Sequence, residues 1–237
     1  MAIERFGILG GDERMTWLAR SLSRKGYEVH TCGLPDSDCS CARQLARCCG
    51  PILLPYPVTR DGHTVSGPGK IPLDEELSQS LQGHPVWAGS CGLLHRFLPG
   101  SEKLQLFDYG EQEDFLQENA ALTAEGAVAL AVFHSKRSLI KSRCVVAGYG
   151  RIGQKLCRLL KSYTPWVFAG CRREESVQAA RAAGFSAGTR FPAETCDFLF
   201  NTVPARIFDE NTALLFSEGG LFIELASAPG GVGAGWG

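Results

Sequence analysis

Short apolar runs alternate with polar or amphipathic stretches along most of this chain of 237 residues. The runs predict strands at residues 3–10, 27–32, 51–54, 86–89, 104–107, 144–147 and 166–170, and two later strands that begin near 197 and 221. Helical apolar spacing lies between several of them, for example at residues 73–81. Strand alternating with helix is typical of a parallel sheet covered on both faces, so we predict an α/β fold.

The most informative stretch follows the predicted strand at 144–147. Residues 148–153 read Gly-Tyr-Gly-Arg-Ile-Gly, and the helical pattern after them has an apolar face of leucines. A strand, a Gly-x-Gly-x-x-Gly turn and a helix in this order predict a dinucleotide-binding site. We expect Gly148 to form the tight turn, Gly150 to let the backbone approach a pyrophosphate, and Gly153 to pack the helix against the strand. A turn whose glycines serve packing alone is the alternative.

The end of the next predicted strand, at 166–170, indicates which cofactor is bound. NAD-binding folds usually have an Asp or Glu here, which holds the ribose 2′-hydroxyl. This chain instead has Cys171, Arg172 and Arg173, and its first carboxylate is Glu174. Two guanidinium groups suit a 2′-phosphate through charge-assisted and bidentate bonds, so the sequence favours NADP over NAD. The alternative is that the arginines merely precede a helix beginning at Glu174.

Two later strands end in short polar residues, Asn201 and Thr202 after one and Ser227 after the other. In a doubly wound sheet these ends lie at the carboxyl edge, beside the reactive end of the cofactor. The side chains could orient a nicotinamide amide or a substrate carboxylate, or they could simply terminate the strands. The predicted cofactor-binding residues are Gly148, Tyr149, Gly150, Arg151, Ile152, Gly153, Arg172, Arg173, Asn201, Thr202, Val203 and Pro204.

The longest helical pattern, at residues 111–135, divides the chain. Its apolar residues include Leu122, Leu130 and Phe133 at helical spacing, and we expect this helix to link two domains. We therefore predict two doubly wound parallel sheets, Rossmann-like or flavodoxin-like, joined by a long helix. The predicted bounds are 1–112 for an N-terminal α/β domain on the substrate side, 113–143 for the linking helix and connector, and 144–237 for an NAD(P)-binding Rossmann domain.

Composition narrows the function classes. The net charge of −1 gives no nucleic-acid footprint, no apolar run is long enough to cross a bilayer, and the N-terminus lacks a signal-peptide layout. We therefore expect the ten cysteines to be reduced thiols in a cytoplasmic protein. Four of them form a tight group, Cys39, Cys41, Cys48 and Cys49, but without paired C-x-x-C spacing. We therefore favour a helix with cysteines on its buried face and predict no metal ligands. A metal site at this group is the alternative.

Six short motifs, taken together, resemble the family of dipicolinate synthase A subunits from spore-forming bacteria. They are Gly10-Gly-Asp-x-Arg14, Leu53-Leu-Pro55, Thr123-x-Glu125-Gly126, the glycine turn at 148–153, Asn201-Thr-Val-Pro204 and Leu225-Ala-Ser-x-Pro-Gly-Gly231. Their order covers nearly the whole chain, and the second domain is also similar to the nucleotide-binding domains of 2-hydroxyacid dehydrogenases. The chain departs from the family pattern at Leu122, where a proline is expected, and at Glu224, where an aspartate is expected.

The resemblance implies an NAD(P)-dependent oxidoreductase of the sporulation programme, located in the cytoplasm of the mother cell. It would form dipicolinate, the pyridine-2,6-dicarboxylate, from a dihydro- or hydroxytetrahydro-dipicolinate. The implied partners are this small dicarboxylate and a flavoprotein-like B subunit, and a homo-oligomer is left open. The glycine-rich stretch at 230–237 replaces the segment with which the family continues, so we expect a truncated or altered C-terminus.

The catalytic residues are left open. Arg14 is the preferred cation for a ring dicarboxylate, with Arg206 as a second possibility, and Glu125 and Ser227 are further candidates by residue type. His84 before Pro85 is better explained as structural. Two other functions compete: a 2-hydroxyacid dehydrogenase-like enzyme, which would need a late Arg, Glu and His that this chain lacks, and a non-catalytic NADP-binding subunit that regulates or docks a partner.

Overall fold

The computed structural model describes residues 4–192, 194–209, 212 and 215–233. The chain divides into two compact units, Met1–Phe115 and Leu116–Gly237. Within these described residues, each unit contains one five-stranded sheet, in which the paired strands run parallel. The predicted fold class is thus confirmed. Ile3 of the predicted first strand and residues 234–237 of the glycine-rich tail lie outside the described residues.

The first unit has the strand order β2-β1-β3-β4-β5, which is that of flavodoxin-like sheets. Its elements are β1 (Arg5–Leu9), α1 (Glu13–Arg24), β2 (Glu28–Cys32), α2 (Ala42–Cys48), β3 (Ile52–Leu53), α3 (Glu75–Leu81), β4 (Pro85–Ala88), α4 (Cys91–Phe97), a 3₁₀ turn (Ser101–Lys103) and β5 (Gln105–Asp108). The carboxylate of Asp12 caps α1 by accepting from the Arg14 N–H, as its residue type favours. The core between sheet and helices includes Leu9, Leu45 and Ile52, all fully buried.

The second unit has the strand order β10-β9-β6-β7-β8, which is that of a Rossmann sheet. Its elements are α5 (Glu113–His134, which begins in the first unit), β6 (Cys144–Ala147), α6 (Arg151–Lys161), β7 (Val167–Gly170), α7 (Glu174–Ala182), β8 (Ser186–Gly188), β9 (Cys196–Asn201) and β10 (Phe216–Glu224). The predicted last strand begins earlier than expected, at Phe216, with an irregularity before Leu221. No helix in the described part of the chain is long and apolar enough to cross a membrane.

The buried face of α5 is made of small residues, not of its largest apolar side chains. Leu122, Leu130 and Phe133 are 68%, 49% and 83% exposed. The buried residues are Ala120, Ala124, Ala127, Val128 and Ala131, four of which join the main core of the second unit. This helix therefore packs through small side chains, which allow close approach.

Candidate functional site

The turn after β6 has the geometry of a dinucleotide-binding turn. All four residues of β6 are buried, and Gly148 follows with a φ of 96°. Helix α6 begins at Arg151, with Gly150 at the N-cap position and no side chain capping it. The first backbone N–H groups of an α-helix have no acceptor within the helix. These groups and the helix dipole therefore favour an anion at this end.

Each glycine of the turn meets different surroundings. A Cβ on Gly153 would lie 2.1 Å from the carbonyl oxygen of Gly148, so only glycine lets helix and turn pack this closely. A Cβ on Gly148 would lie 2.4 Å from Oγ1 of Thr202. A Cβ on Gly150 would meet no atom within 4 Å. The chain therefore needs glycine at 148 and 153 for its own packing, whereas the space beside Gly150 is open to a ligand.

Thr202 fixes the turn from the neighbouring strand. Its N–H and its hydroxyl both donate to the carbonyl of Ala147, at 2.9 and 2.8 Å. Gly148 N–H donates to the carbonyl of Gly170 at 2.8 Å, which ties the turn to the end of β7 as well. The predicted neighbours of the cofactor thus share one sheet edge. Val203 and the exposed Pro204 continue the loop after β9.

The remaining residues of the motif are arranged around this turn. Tyr149 is half-buried, its ring lies edge-on to Phe185 at 6.2 Å between centroids, and burial raises the pKa of its hydroxyl. Ile152 is half-buried and Arg151 is exposed on the first turn of α6.

Arg172 and Arg173 lie at the same edge as the turn. They follow β7, whose last residue, Gly170, is paired with Ala147 at the end of β6. Both arginines are exposed, and Arg173 holds the N-cap position of α7 without a capping bond from its side chain. The two guanidinium groups are therefore available at the position where the adenine ribose of a dinucleotide lies in this fold.

Asn201 lies beneath the loop that follows β9 and is not exposed on its surface. It is fully buried, and its Nδ2 donates to the carbonyl of Val203 at 3.1 Å and to Oε1 of Glu224 at 2.7 Å. Its Oδ1 accepts from the Val203 N–H at 3.0 Å. The Glu224 carboxylate also accepts from the N–H groups of Ala226 and Gly231, at 3.0 and 2.7 Å. Asn201 and Glu224 thus join the loops that follow β9 and β10.

The catalytic candidates of the second unit are not brought together. Ser227 is exposed in the loop after β10. Glu125 is exposed on α5 and lines a groove of about 870 Å³ with Lys155 and Arg158. Those two residues lie beyond the first turn of α6, so Glu125 is not positioned at the glycine turn. Arg206 is exposed after Pro204.

In the first unit, Arg14 lies at the carboxyl edge of the sheet, held by Asp12. Its Nε and Nη2 donate to the Asp12 carboxylate at 2.9 and 2.8 Å, and Nη2 also donates to the carbonyl of Tyr56 at 2.8 Å. The hydrogen bond from Arg14 lowers the pKa of Asp12 despite its partial burial. Nδ1 of His84 donates to the carbonyl of Gly50 at 3.0 Å, which fits the structural role expected of this residue.

The sequence interpretation missed two residues at this edge. Asp108, at the end of β5, accepts from the N–H groups of Ser90, Cys91 and Gly110 at 3.2, 2.6 and 2.8 Å. Tyr109 donates to the carbonyl of Leu54 at 2.8 Å, and burial raises its pKa to about 12. A polar residue at the end of a predicted strand was the available signal for Asp108, as it was for Asn201.

Comparisons with known proteins agree with the predicted resemblance. Residues 5–98 match the family model for the N-terminal domain of the dipicolinate synthase A subunit. The chain is 22% identical over 243 residues to the dipicolinate synthase A subunit of Bacillus subtilis (strain 168), and the match covers 96% of this chain and 82% of that protein. The resemblance to dipicolinate synthase A subunits is thereby confirmed.

Solved structures share the fold. The crystal structure of the dipicolinate synthase A subunit from Bacillus halodurans gives a TM-score of 0.78 at 23% identity, covering 97% of this chain and 84% of that one. A transhydrogenase from Sinorhizobium meliloti gives 0.59 at 12% identity, covering 94% and 78%. A D-lactate dehydrogenase from Treponema pallidum gives 0.56 at 13% identity, covering 94% and 70%. The fold is therefore of the dehydrogenase type.

Proposed function

We propose that this chain is an NADP-dependent oxidoreductase subunit that forms dipicolinate from a dihydro- or hydroxytetrahydro-dipicolinate. It acts in the cytoplasm of a sporulating mother cell, with a flavoprotein-like B subunit. The open space beside Gly150, in a turn whose other two glycines are required for packing, is the observation that carries the proposal. The similarity to the dipicolinate synthase A subunit over 96% of the chain supports the substrate class.

The residues of the second unit fit a nicotinamide dinucleotide. The N-terminus of α6 offers N–H groups to a pyrophosphate, and Gly150 leaves room for it. Arg172 and Arg173 hold a 2′-phosphate, and Thr202 to Pro204 line the edge toward the nicotinamide. The cofactor, when bound, supplies the hydride acceptor, while the protein provides position and electric field.

In the first unit, we assign Arg14 to a carboxylate of the substrate. Its guanidinium is already oriented by Asp12 and by the carbonyl of Tyr56. A side chain held in this way loses less conformational freedom on binding, and its Nη1, which none of these bonds uses, is left to donate to the substrate carboxylate. Arg14→Lys would keep the positive charge but lose this fixed geometry, because lysine lacks the planar guanidinium group.

The cofactor preference is tested by calorimetric titration with NADP and NAD. We expect tighter binding of NADP, and we expect Arg172→Ala to weaken NADP binding about ten-fold while leaving NAD binding unchanged, since one charge-assisted bond is lost. Arg158→Ala, an exposed arginine further along α6, is the matched control. Equal affinities for the two nucleotides, unchanged in Arg172→Ala, would refute the assignment of the 2′-phosphate.

The reaction is tested by mixing the protein, NADP and the dihydro-substrate, with and without the B subunit. Formation of the pyridine dicarboxylate should match NADPH formation one to one, because the ring loses a hydride and a proton. Nucleotide binding without turnover, even with the B subunit present, would contradict the enzymatic proposal. That outcome would favour the non-catalytic regulatory role instead.

A further inference from the structure

We propose that His30, Asp38 and Cys39 form a zinc site in the first unit. Their potential ligand atoms, one from each side chain, all lie within 4.8 Å of one another. Two of these residues are not cysteines, so the spacing of the cysteines alone does not reveal the site. The site shares no residue with the glycine turn or with the Arg14 pair, and it goes beyond the proposed oxidoreductase function.

The three residues meet because the chain folds back on the edge strand β2. His30 lies within β2, and Cys39 returns beside its end, where Cys39 N–H donates to the carbonyl of Thr31 at 3.0 Å. A turn between them is closed by Ser37, whose hydroxyl bonds to both the N–H and the carbonyl of Leu34 at 2.8 Å. Backbone bonds therefore hold the ligands together.

Each of the two polar ligands is oriented by a second partner. Oδ1 of Asp38 accepts from the Thr31 N–H at 2.7 Å, which leaves Oδ2 facing Nδ1 of His30 at 2.5 Å. Nε2 of His30 lies 3.1 Å from Oε1 of Glu28, and Glu28 in turn pairs with Arg5 at 2.8 Å. A carboxylate on the far nitrogen of a ligating imidazole is a common outer-shell arrangement in metal proteins, since it fixes the ring and raises its basicity.

The donor set favours zinc over harder cations. A thiolate, an imidazole and a carboxylate are ligands of Zn²⁺, whereas Mg²⁺ and Ca²⁺ prefer oxygen alone. Cys39 is buried at 5% exposure, His30 is half-buried and Asp38 is exposed, so water from the Asp38 side can fill the fourth position of a tetrahedron. Binding requires that Zn²⁺ displace the proton between Nδ1 of His30 and Oδ2 of Asp38 and the thiol proton of Cys39, and that the three ligand atoms, which lie within 4.8 Å of one another, draw closer.

The predicted explanation for this cysteine group was a helix with its cysteines on the buried face, and it is wrong in part. Only Cys48 lies within α2, and it is half-buried. The buried thiols Cys39 and Cys49 flank the helix on either side. All ten cysteines are free thiols, so Cys39 is chemically able to bind a metal.

The test titrates the full chain with Co²⁺, a spectroscopic substitute for zinc, and follows absorption from the cobalt–thiolate bond. We expect one equivalent to bind with this band and Zn²⁺ to abolish it by displacement. Cys39→Ser should lose the band, and Asp38→Asn and His30→Gln should weaken binding ten-fold or more. Asp38→Asn retains an acceptor for the Thr31 N–H, so it tests the site even if Cys39→Ser does not fold.

Cys91→Ser and His84→Gln are the matched controls, since both residues belong to the first unit and lie outside the cluster. They should bind Co²⁺ as the unaltered chain does. Zinc should raise the melting temperature of the unaltered chain and of the controls, but not that of Asp38→Asn. The proposal is overturned if the unaltered chain gives no cobalt–thiolate band, or if the three cluster variants bind as tightly as the controls.

Discussion

Gly150 borders open space, whereas Gly153 packs against the carbonyl oxygen of Gly148. Alanine substitutions at the two positions separate their roles. We expect Gly150→Ala to fold normally, since its φ of −80° and ψ of −165° suit alanine. The added methyl would fill the space proposed for the pyrophosphate and weaken nucleotide binding about ten-fold. Gly153→Ala places a Cβ 2.1 Å from a carbonyl oxygen, so we expect it to destabilise the protein by about 2 kcal/mol.

Urea unfolding and calorimetric titration measure the two effects separately. Gly126→Ala on α5, where a Cβ would meet nothing within 4 Å, is the control for adding a methyl to this unit. Unchanged nucleotide affinity in Gly150→Ala would show that the open space is not the binding site.

The difference between these glycines could be predicted from the sequence, but the hydrogen-bond partners of Asn201 could not. The Gly-x-Gly-x-x-Gly spacing specifies a local turn, in which each position has a known task. The sequence assigns Asn201 to the cofactor because it ends a strand, and that assignment stays a prediction. Its actual partner, Glu224, lies 23 residues away, and a hydrogen bond across two strand ends leaves no local sequence signal.

At the scale of elements, Asp197 connects β9 with the segment before β6 and with the start of β10. Its carboxylate accepts from the N–H of Arg143 at 2.9 Å, from the hydroxyl of Ser217 at 2.7 Å and from the guanidinium of Arg137 at 2.8 Å. Burial raises the pKa of Asp197, but these hydrogen bonds together hold it below the ordinary value of 3.8.

This shift predicts a pH-dependent loss of stability in Asp197→Asn. A carboxyl group with a depressed folded pKa stabilises the protein above its unfolded pKa, and this contribution is lost as the pH falls through the folded pKa. We expect the variant to be about 2 kcal/mol less stable at pH 7. The difference should shrink below pH 3.8. Thermal unfolding across this range measures it, with the exposed Asp36→Asn as control; a difference independent of pH would contradict the assignment.

Elements could be located from the sequence more reliably than their faces. Helix α5 was expected at 111–135 and occupies Glu113–His134. Its buried face did not follow from the sequence, because hydrophobic spacing weights large side chains, whereas alanines at 120, 124, 127 and 131 are the buried ones. The three-residue strand β8, Ser186–Gly188, was not predicted, since small residues give no apolar alternation.

At the scale of the whole molecule, each unit has its own buried core. Leu45 of α2 and Leu156 of α6 are both fully buried, one in each unit. We expect Leu45→Ala and Leu156→Ala each to cost about 2–5 kcal/mol, and each to destabilise chiefly its own unit. Hydrogen exchange of strand amides reports the units separately. Equal loss of protection in both units from either variant would contradict two independent cores.

The sequence predicted two parallel sheets but not the order of their strands. Alternating strands and helices require parallel pairing, yet the same pattern is compatible with both the flavodoxin-like order of the first unit and the Rossmann order of the second. The order depends on which face each crossover covers, and that choice is made by contacts between distant residues.

The bond between Asn201 and Glu224 has a consequence for how this chain can change in evolution. The Glu224 carboxylate accepts hydrogen bonds from the Asn201 side chain on the neighbouring strand and from two N–H groups in the loop that follows β10. A shorter acid at position 224 would have to draw that loop inward by about the length of one methylene. Substitutions at 201, at 224 and in residues 225–231 should therefore covary among descendants of this sequence, so that the three segments are inherited as a set.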